Sequence, residues 1–358
     1  MKILKSLWFR IAVALVFMAV VLLLLFERGP SLNDLKSAFT AVVWQWVVVA
    51  IALNLLSVVF RALAWRTVIN QAIPEPHPTT LLVFSAFSVG LFANAVLPGR
   101  IGELARVGVL TRKLPKRKGY WASLVGTVFA HRVFDVVPVV LLILYVVATA
   151  KIPAWATTSL VVFLGVGFGL FTFAWVSART HNTERSLDGL GAARRLVRMG
   201  RQGLGVMRSP WGATLAIACQ IAGWLCQILA VYTAMRAFDI HAPMPAAGVV
   251  LLLMNVATVF PLWPGNVGLV QVAVATPLAA SYGVAYAHGV AYGFGLQAIE
   301  ASVGIGVGLL FLAREGLSFA MLKVMPNASQ MEMDDVTRVT NSDEAEADAA
   351  PGRARMPG

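Results

Sequence analysis

The sequence predicts an all-α, polytopic membrane helix bundle of about six full spans plus two re-entrant helical hairpins, arranged as an inverted repeat. Three observations predict it. Charged residues make up 13% of the 358, half the share of a soluble domain, while 58% are hydrophobic. Eight apolar runs recur, at about 9–26, 41–60, 79–97, 121–148, 158–177, 211–235, 245–263 and 285–313. Most of them approach the roughly 20 residues that a spanning helix needs. Two similar Pro-Gly breaks, beginning at Pro98 and Pro264, stand 166 residues apart.

The first run, Ile11 to Phe26, follows Lys2, Lys5 and Arg10 and ends Phe26-Glu27-Arg28 with no small-residue cleavage site. It reads as an uncleaved span. Trp8, Trp44, Trp46, Trp121, Trp155, Trp175, Trp211 and Trp263 sit near run ends, as an interfacial belt requires. Glycines four apart, Gly165 with Gly169 and Gly304 with Gly308, permit close helix approach. Residues 179–210 hold seven arginines (179, 185, 194, 195, 198, 201, 208) against Glu184 and Asp188, the pattern of a cytoplasmic loop lying on anionic lipid. From about 326 the chain turns polar and acidic, with Glu332, Asp334, Asp335, Asp343, Glu344, Glu346 and Asp348. The organisation is therefore a transmembrane domain over 1–325, with halves of about 1–150 and 151–325, and a disordered cytoplasmic tail over 326–358.

The net charge of +12 does not indicate nucleic acid. The basic residues lie in short loops beside apolar runs, as the positive-inside rule predicts, without interleaved stacking aromatics. Cys219 and Cys226 share one helix face at a spacing that no disulfide spans, and no zinc-ligand spacing occurs. No cofactor or metal is expected.

Parity fixes the topology. With the N-terminus inside, run 2 returns and places Arg61 and Arg66 inside. A simple crossing by run 3 would strand Arg112, Lys113, Lys116, Arg117 and Lys118 outside, against the positive-inside rule. The conflict disappears if residues 79–111 turn back at Leu97-Pro98-Gly99-Arg100, where proline and glycine break the helix. Run 7 meets a second break at Pro261-Leu-Trp-Pro264-Gly265 and doubles back in the same way. Pro98-Gly99-Arg100-Ile101-Gly102 then matches Pro264-Gly265-Asn266-Val267-Gly268. Each half holds three spans and one hairpin, and three is odd, so the halves are inverted. Paired broken helices in inverted repeats mark transporter sites at the bilayer midplane.

Charges at that depth are expensive, by roughly 2.5–3.5 kcal/mol each on insertion scales, and point to function. Arg100, Glu103 and Arg106 follow the first break at spacings of three, so they share a helix face. Arginine forks suit phosphate, and a half-helix N-terminus favours anions, so the cluster fits a lipid headgroup. The alternative is that Glu103 only neutralises arginines that anchor the hairpin. His131, Arg132 and Asp135 form a second cluster inside run 4, for which self-neutralisation is again the alternative. Glu300 stands alone in run 8, a position open to proton coupling. Asn94, Asn255, Asn266, Gln271 and Gln297 line the same cavity or bond between helices.

Three stretches resemble the signatures of the lysylphosphatidylglycerol synthase/flippase transmembrane-domain family. They are Asn94-Ala-Val-Leu-Pro-Gly-Arg-Ile-Gly-Glu-Leu-Ala-Arg106, His131-Arg132-Val-Phe-Asp135 and Phe260-Pro-Leu-Trp-Pro-Gly-Asn-Val-Gly268. The resemblance covers roughly residues 1–320. It implies a domain that moves lipids or lipid-linked headgroups between leaflets. It assigns Pro98, Gly99, Arg100, Gly102, Glu103 and Arg106 to the first motif, Arg132 and Asp135 to the second, and Pro264, Gly265 and Gly268 to the third. His131 stands where the family often has glutamate, Asn266 where it often has a second glycine, and Gln271 where a glutamate is usual. In some members the domain precedes a cytosolic aminoacyl transferase; none is expected here, so lysyl transfer is not inherited.

The expected function is therefore a lipid flippase that moves an anionic lipid or lipid-linked headgroup, in the plasma (inner) membrane with both termini cytoplasmic. Arg100, Glu103, Arg106, Arg132 and Asp135 would bind the headgroup. Pro98, Gly99, Gly102, Pro264, Gly265 and Gly268 would break the hairpins. His131, Glu300 and Gln271 are the positions open to coupling. The expected partners are anionic membrane lipids, with homo-oligomerisation left open. The rival readings are a membrane enzyme, or an accessory protein of lipid-linked glycan or envelope lipid synthesis; no catalytic motif favours the enzyme.

Overall fold

A computed structural model of the chain describes residues 32–73, 75–97, 101–115, 120–152, 210–259 and 264–316, with a few single positions between 157 and 169. The first and fifth predicted spans, the seven-arginine loop and the acidic tail lie outside the described residues. Among the described residues there is no strand, and the helices are α1 Leu32–Thr40, α2 Trp44–Ala72, α3 Thr80–Val96, α4 Gly102–Lys113, α5 Tyr120–Thr149, α6 Pro210–Ala237, α7 Met244–Val259, α8 Leu269–Tyr282 and α9 Tyr286–Arg314. Within α9 the segment Ser302–Val307 is a π-turn.

Four helices, namely α2, α9 and most of α5 and α6, are long and apolar enough to cross a membrane. At 29 residues α2 runs about 43 Å, well beyond the roughly 30 Å of a hydrocarbon core. The helices of the two break regions are shorter, with 17 residues in α3 and 12 in α4. Neither spans alone, and together they fold back. Glu315 accepts from Ser85 near the start of α3 at 2.7 Å and pairs with Lys113 at the end of α4 at 3.4 Å, so both arms open on one face. The hairpin of α7 and α8 opens on the other face. There the hydroxyl of Tyr282 accepts from the Lys151 amide at 3.1 Å, just beyond the end of α5. Val43 N–H donates to the Ala237 carbonyl at 2.9 Å on the same side, joining the start of α2 to the end of α6. The hairpins therefore enter from opposite faces, as parity requires.

Local chemistry sets the ends. The Thr79 hydroxyl caps α3 by accepting from Leu82 N–H at 3.3 Å. Glu103 in the first turn of α4 and Arg112 and Lys113 in its last complement the helix dipole. Gly283, in the left-handed conformation, closes α8.

The repeat is visible in the helix register. Helices α2 and α6 begin at residues 44 and 210, and α5 and α9 at 120 and 286, each pair 166 apart, like the two Pro-Gly breaks. The equivalent helices α2 and α6 pack against each other more extensively than any other described pair. Pro138 inside α5 corresponds to Gly304 in the π-turn of α9, so at the same place one long helix lacks a backbone donor and the other changes its hydrogen-bond register. Each begins on the second arm of its own hairpin and ends on the first arm of the other: Leu142 and Val146 of α5 meet α7 at Gly248, and Gly308 of α9 meets α3 at Ser88 and Phe92. The two breaks sit where each helix passes from one hairpin to the other.

Two sequence expectations change. Run 2 does not stop before Arg61: the helix continues to Ala72, because an arginine ends a hydropathy window but not a helix. Of the four glycines singled out, Gly308 alone packs closely among the described residues; a Cβ at Gly165, Gly169 or Gly304 would meet nothing there.

Candidate functional site

The first break brings its charges together. A Cβ on Gly102 would run into the Gly90 carbonyl and the Asn94 amide, so only glycine lets α4 start this close to α3. Asn94 Oδ1 accepts from the Gly102 N–H at 2.9 Å, satisfying a donor at the new helix start. Glu103 follows, some ten residues or about 15 Å in from the end of α4. It pairs with Arg106 at 2.5 Å and with Arg132 of α5 in a shorter contact. Arg132 also reaches Asp135 at 3.3 Å. Asp135 accepts from the indole N–H of Trp224 at 3.1 Å, tying the chain of charges to α6. The order is Arg106–Glu103–Arg132–Asp135–Trp224.

The members differ in access. Arg106 is 3% exposed and lies over the rings of Trp65 at 4.5 Å and Phe87 at 5.3 Å. Enclosed this way, its guanidinium faces the two rings and the Glu103 carboxylate. The Arg132 side chain is 53% exposed, although it stands some twelve residues, about 18 Å, from the start of α5. His131 is buried; its Nε2 lies 3.2 Å from the Arg61 carbonyl and 3.2 Å from Gln220 Nε2.

The second tip is built with neutral groups. Pro264–Asn266 forms a single 3₁₀ turn in which Gly265 and Asn266 have φ of 71° and 45°, and Gly268 has φ of 92°. Gln271 Oε1 accepts from Gly268 N–H at 2.6 Å, the counterpart of the Asn94 bond to Gly102. Gln271 donates to Gln297 at 2.8 Å, Gln297 donates to the Gly265 carbonyl, and Asn266 donates to the Ala257 carbonyl at 2.8 Å. Gln297 occupies the position in α9 that His131 occupies in α5. Asn266 and Gln271, two of the departures from the family pattern, thus make the hydrogen bonds that hold this tip.

The structure gathers Gly102, Glu103, Arg106, His131, Arg132 and Asp135 at one tip and Pro264, Gly265, Gly268 and Gln271 at the other. Pro98, Gly99 and Arg100 lie outside the described residues. Glu300 belongs to neither tip; it accepts from Gln227 at 3.1 Å, and Gln227 accepts from Ser57 at 3.0 Å. Sequence reasoning missed Arg61, whose guanidinium lies 5.2 Å over the Trp224 ring. It also missed Gln220, Trp224 and Gln227. Their spacing of four and three residues, a polar stripe on an otherwise apolar helix, was the available signal.

The family described as the lysylphosphatidylglycerol synthase TM region matches residues 7–320. The chain belongs to this family. That assignment covers both hairpins and every residue of the two tips, and it makes the chain a multi-pass membrane protein. No curated protein and no solved structure matches it.

Proposed function

We propose that the protein moves an anionic lipid headgroup between leaflets, with Arg132 as its principal contact. One observation carries this reading: the half-exposed guanidinium of Arg132 at mid-depth, fixed between Glu103 and Asp135. A charge facing lipid tails there costs roughly 2.5–3.5 kcal/mol, so an exposed one belongs on a polar path. Glu103 and Asp135 each take one N–H from a terminal nitrogen of the fork, which leaves three of the five guanidinium donors for a phosphate. Arg100, next to the same helix start, adds a second cation in sequence.

The inverted hairpins support alternating access, because the site lies beside a tip that opens on one face and across from a tip that opens on the other. Pro138 and the π-turn supply a yielding point in each long helix where it passes between hairpins. The charge distribution supports cytoplasmic placement of the face that carries Arg66, Arg112, Lys113 and Arg314, with both termini on that side of the plasma membrane.

The test is transport of fluorescent phosphatidylglycerol in proteoliposomes, against a zwitterionic lipid and a polyprenyl phosphate. Wild type should move an anionic lipid, and Arg132→Ala should lose at least tenfold in rate while remaining folded. Equal rates for the two proteins would remove the site from the mechanism.

A further inference from the structure

Six charged side chains among the described residues lie deep in the bundle: Arg61, Arg106 and Arg132 against Glu103, Asp135 and Glu300. Four of them make the continuous chain of ion pairs Arg106–Glu103–Arg132–Asp135. The other two, Arg61 and Glu300, have no ion-pair contact among the described residues. The Nε of Arg61 is buried without a hydrogen-bond partner, and its guanidinium rests on Trp224. That same indole donates to Asp135 at 3.1 Å. Glu300 has the neutral amide of Gln227 as its hydrogen-bond donor. Trp224 and Gln227, three apart on α6, thus hold Asp135 and Glu300 along the α6 face that Arg61 covers.

The groups facing Glu300 can be named element by element. Arg61 comes from α2. From α6 come the neutral Gln227 and Trp224. Tyr292 comes from α9 itself and donates to the Val231 carbonyl at 3.0 Å. Helix α8 contains no charged residue, and neither does α3, which packs beyond the π-turn. Helix α1 also packs on α9, and Lys36 on it is exposed. His131 joins from α5 through the Arg61 carbonyl.

The charge balance then has a consequence. Among these six charges, ionised Glu300 leaves three cations against three anions; protonating it removes one negative charge and a bound phosphate diester adds one, so each lowers the electrostatic cost of the other. Binding of the anion and of the proton therefore favour each other, and linkage makes the effect reciprocal.

We propose that Glu300 is a proton site coupled through Arg61 to the headgroup site at Arg132, so that the protein takes up one proton with each anionic headgroup it binds. The proposal rests on the headgroup reading above. It adds a second site, on a different helix, with the proton as its ligand.

Titration calorimetry on the full chain in detergent tests it, with dioctanoyl-phosphatidylglycerol as the probe in buffers of different ionisation enthalpy. Wild type should take up about one proton per lipid, and its affinity should fall by up to about tenfold per pH unit once Glu300 ionises. Glu300→Gln keeps a hydrogen bond to Gln227; it should bind without proton uptake and hold its low-pH affinity at high pH. Arg61→Gln should bind more weakly and lose the pH dependence. His131→Gln should leave the proton count unchanged. Wild-type binding without proton uptake overturns the coupling and leaves the headgroup site standing. Uptake that persists in Glu300→Gln, or is lost in His131→Gln, overturns the assignment to Glu300. No binding at any pH overturns both readings together.

Discussion

Arg106 and Arg132 share one carboxylate but should fail in opposite ways when perturbed. Arg106 is enclosed by Trp65 and Phe87, and Glu103 is its ion-pair partner at 2.5 Å. Glu103→Ala strands that buried cation. Breaking a buried pair costs 3–5 kcal/mol; the lower end, about 3 kcal/mol, applies here because Glu103 is a quarter exposed and the two rings still face the guanidinium. Replacing both partners, Glu103→Ala with Arg106→Leu, removes the stranded charge and should recover stability to within about 1 kcal/mol of wild type. Arg132→Ala removes a half-exposed group and should cost no more than about 1 kcal/mol, since Glu103 keeps Arg106 and Asp135 keeps Trp224. Reversible unfolding in mixed micelles, read by circular dichroism, gives all three values. Lipid transport by the same proteins should be lost in Arg132→Ala although it is the more stable of the two single variants. A Glu103→Ala cost below about 1 kcal/mol, or a double variant no more stable than the single, would refute the reading of Arg106 as a buried cation held by Glu103.

Gly102→Ala should lower the unfolding free energy by about 1–3 kcal/mol, the usual cost of overpacking, because its Cβ meets a backbone carbonyl that cannot move aside. Trp224→Phe leaves Asp135 short of one donor and should cost about 1–3 kcal/mol in the same assay, with a matching loss in transport. Pro138→Ala restores a regular helix and should raise stability while slowing transport; an unchanged rate would show that α5 does not bend there in the cycle.

Much of this architecture was legible in the sequence because it follows from charge and chain parity. Lys113 to Lys118 cannot sit opposite the other basic loops, so residues 79–111 must turn back, and Pro98-Gly99 says where. The contact of Glu103 with Arg106 was legible for a similar reason, since three residues on a helix share a face. What the sequence withheld was long-range. Nothing in α4 announces that Trp65 and Phe87, from two other helices, enclose Arg106, so it read as a ligand contact equal to Arg132. Arg61 was hidden because a hydropathy window closes at a charge, whereas the helix continues and delivers that charge to Trp224, 163 residues away. Glu300 was visible as an anomaly, but its donor Gln227 belongs to a helix whose polar stripe makes sense only once α2 packs on it.

The two tips differ in chemistry, and that asymmetry constrains any cycle built on them. Gly102 and Gly268 each give their N–H to a side-chain amide, across the hairpin from α3 at the first tip and from within α8 at the second. At the first tip the next shell is charged: Glu103, Arg106, Arg132 and Asp135. At the second it is neutral, with Asn266, Gln271 and Gln297 satisfying one another and the Gly265 and Ala257 carbonyls. A tip whose polar groups bond internally is indifferent to an anion beside it. On the proposed reading, the headgroup therefore stays with the first hairpin in both states, and the second hairpin only opens or closes the far side. The coupling must then run through elements that touch both hairpins. Helices α5 and α9 meet that requirement, and each carries its carboxylate next to its own break: Asp135 three residues before Pro138, and Glu300 two residues before the π-turn. A change of charge at either carboxylate acts on a helix at the point where it bends most easily, so charge and geometry are joined at the same two places.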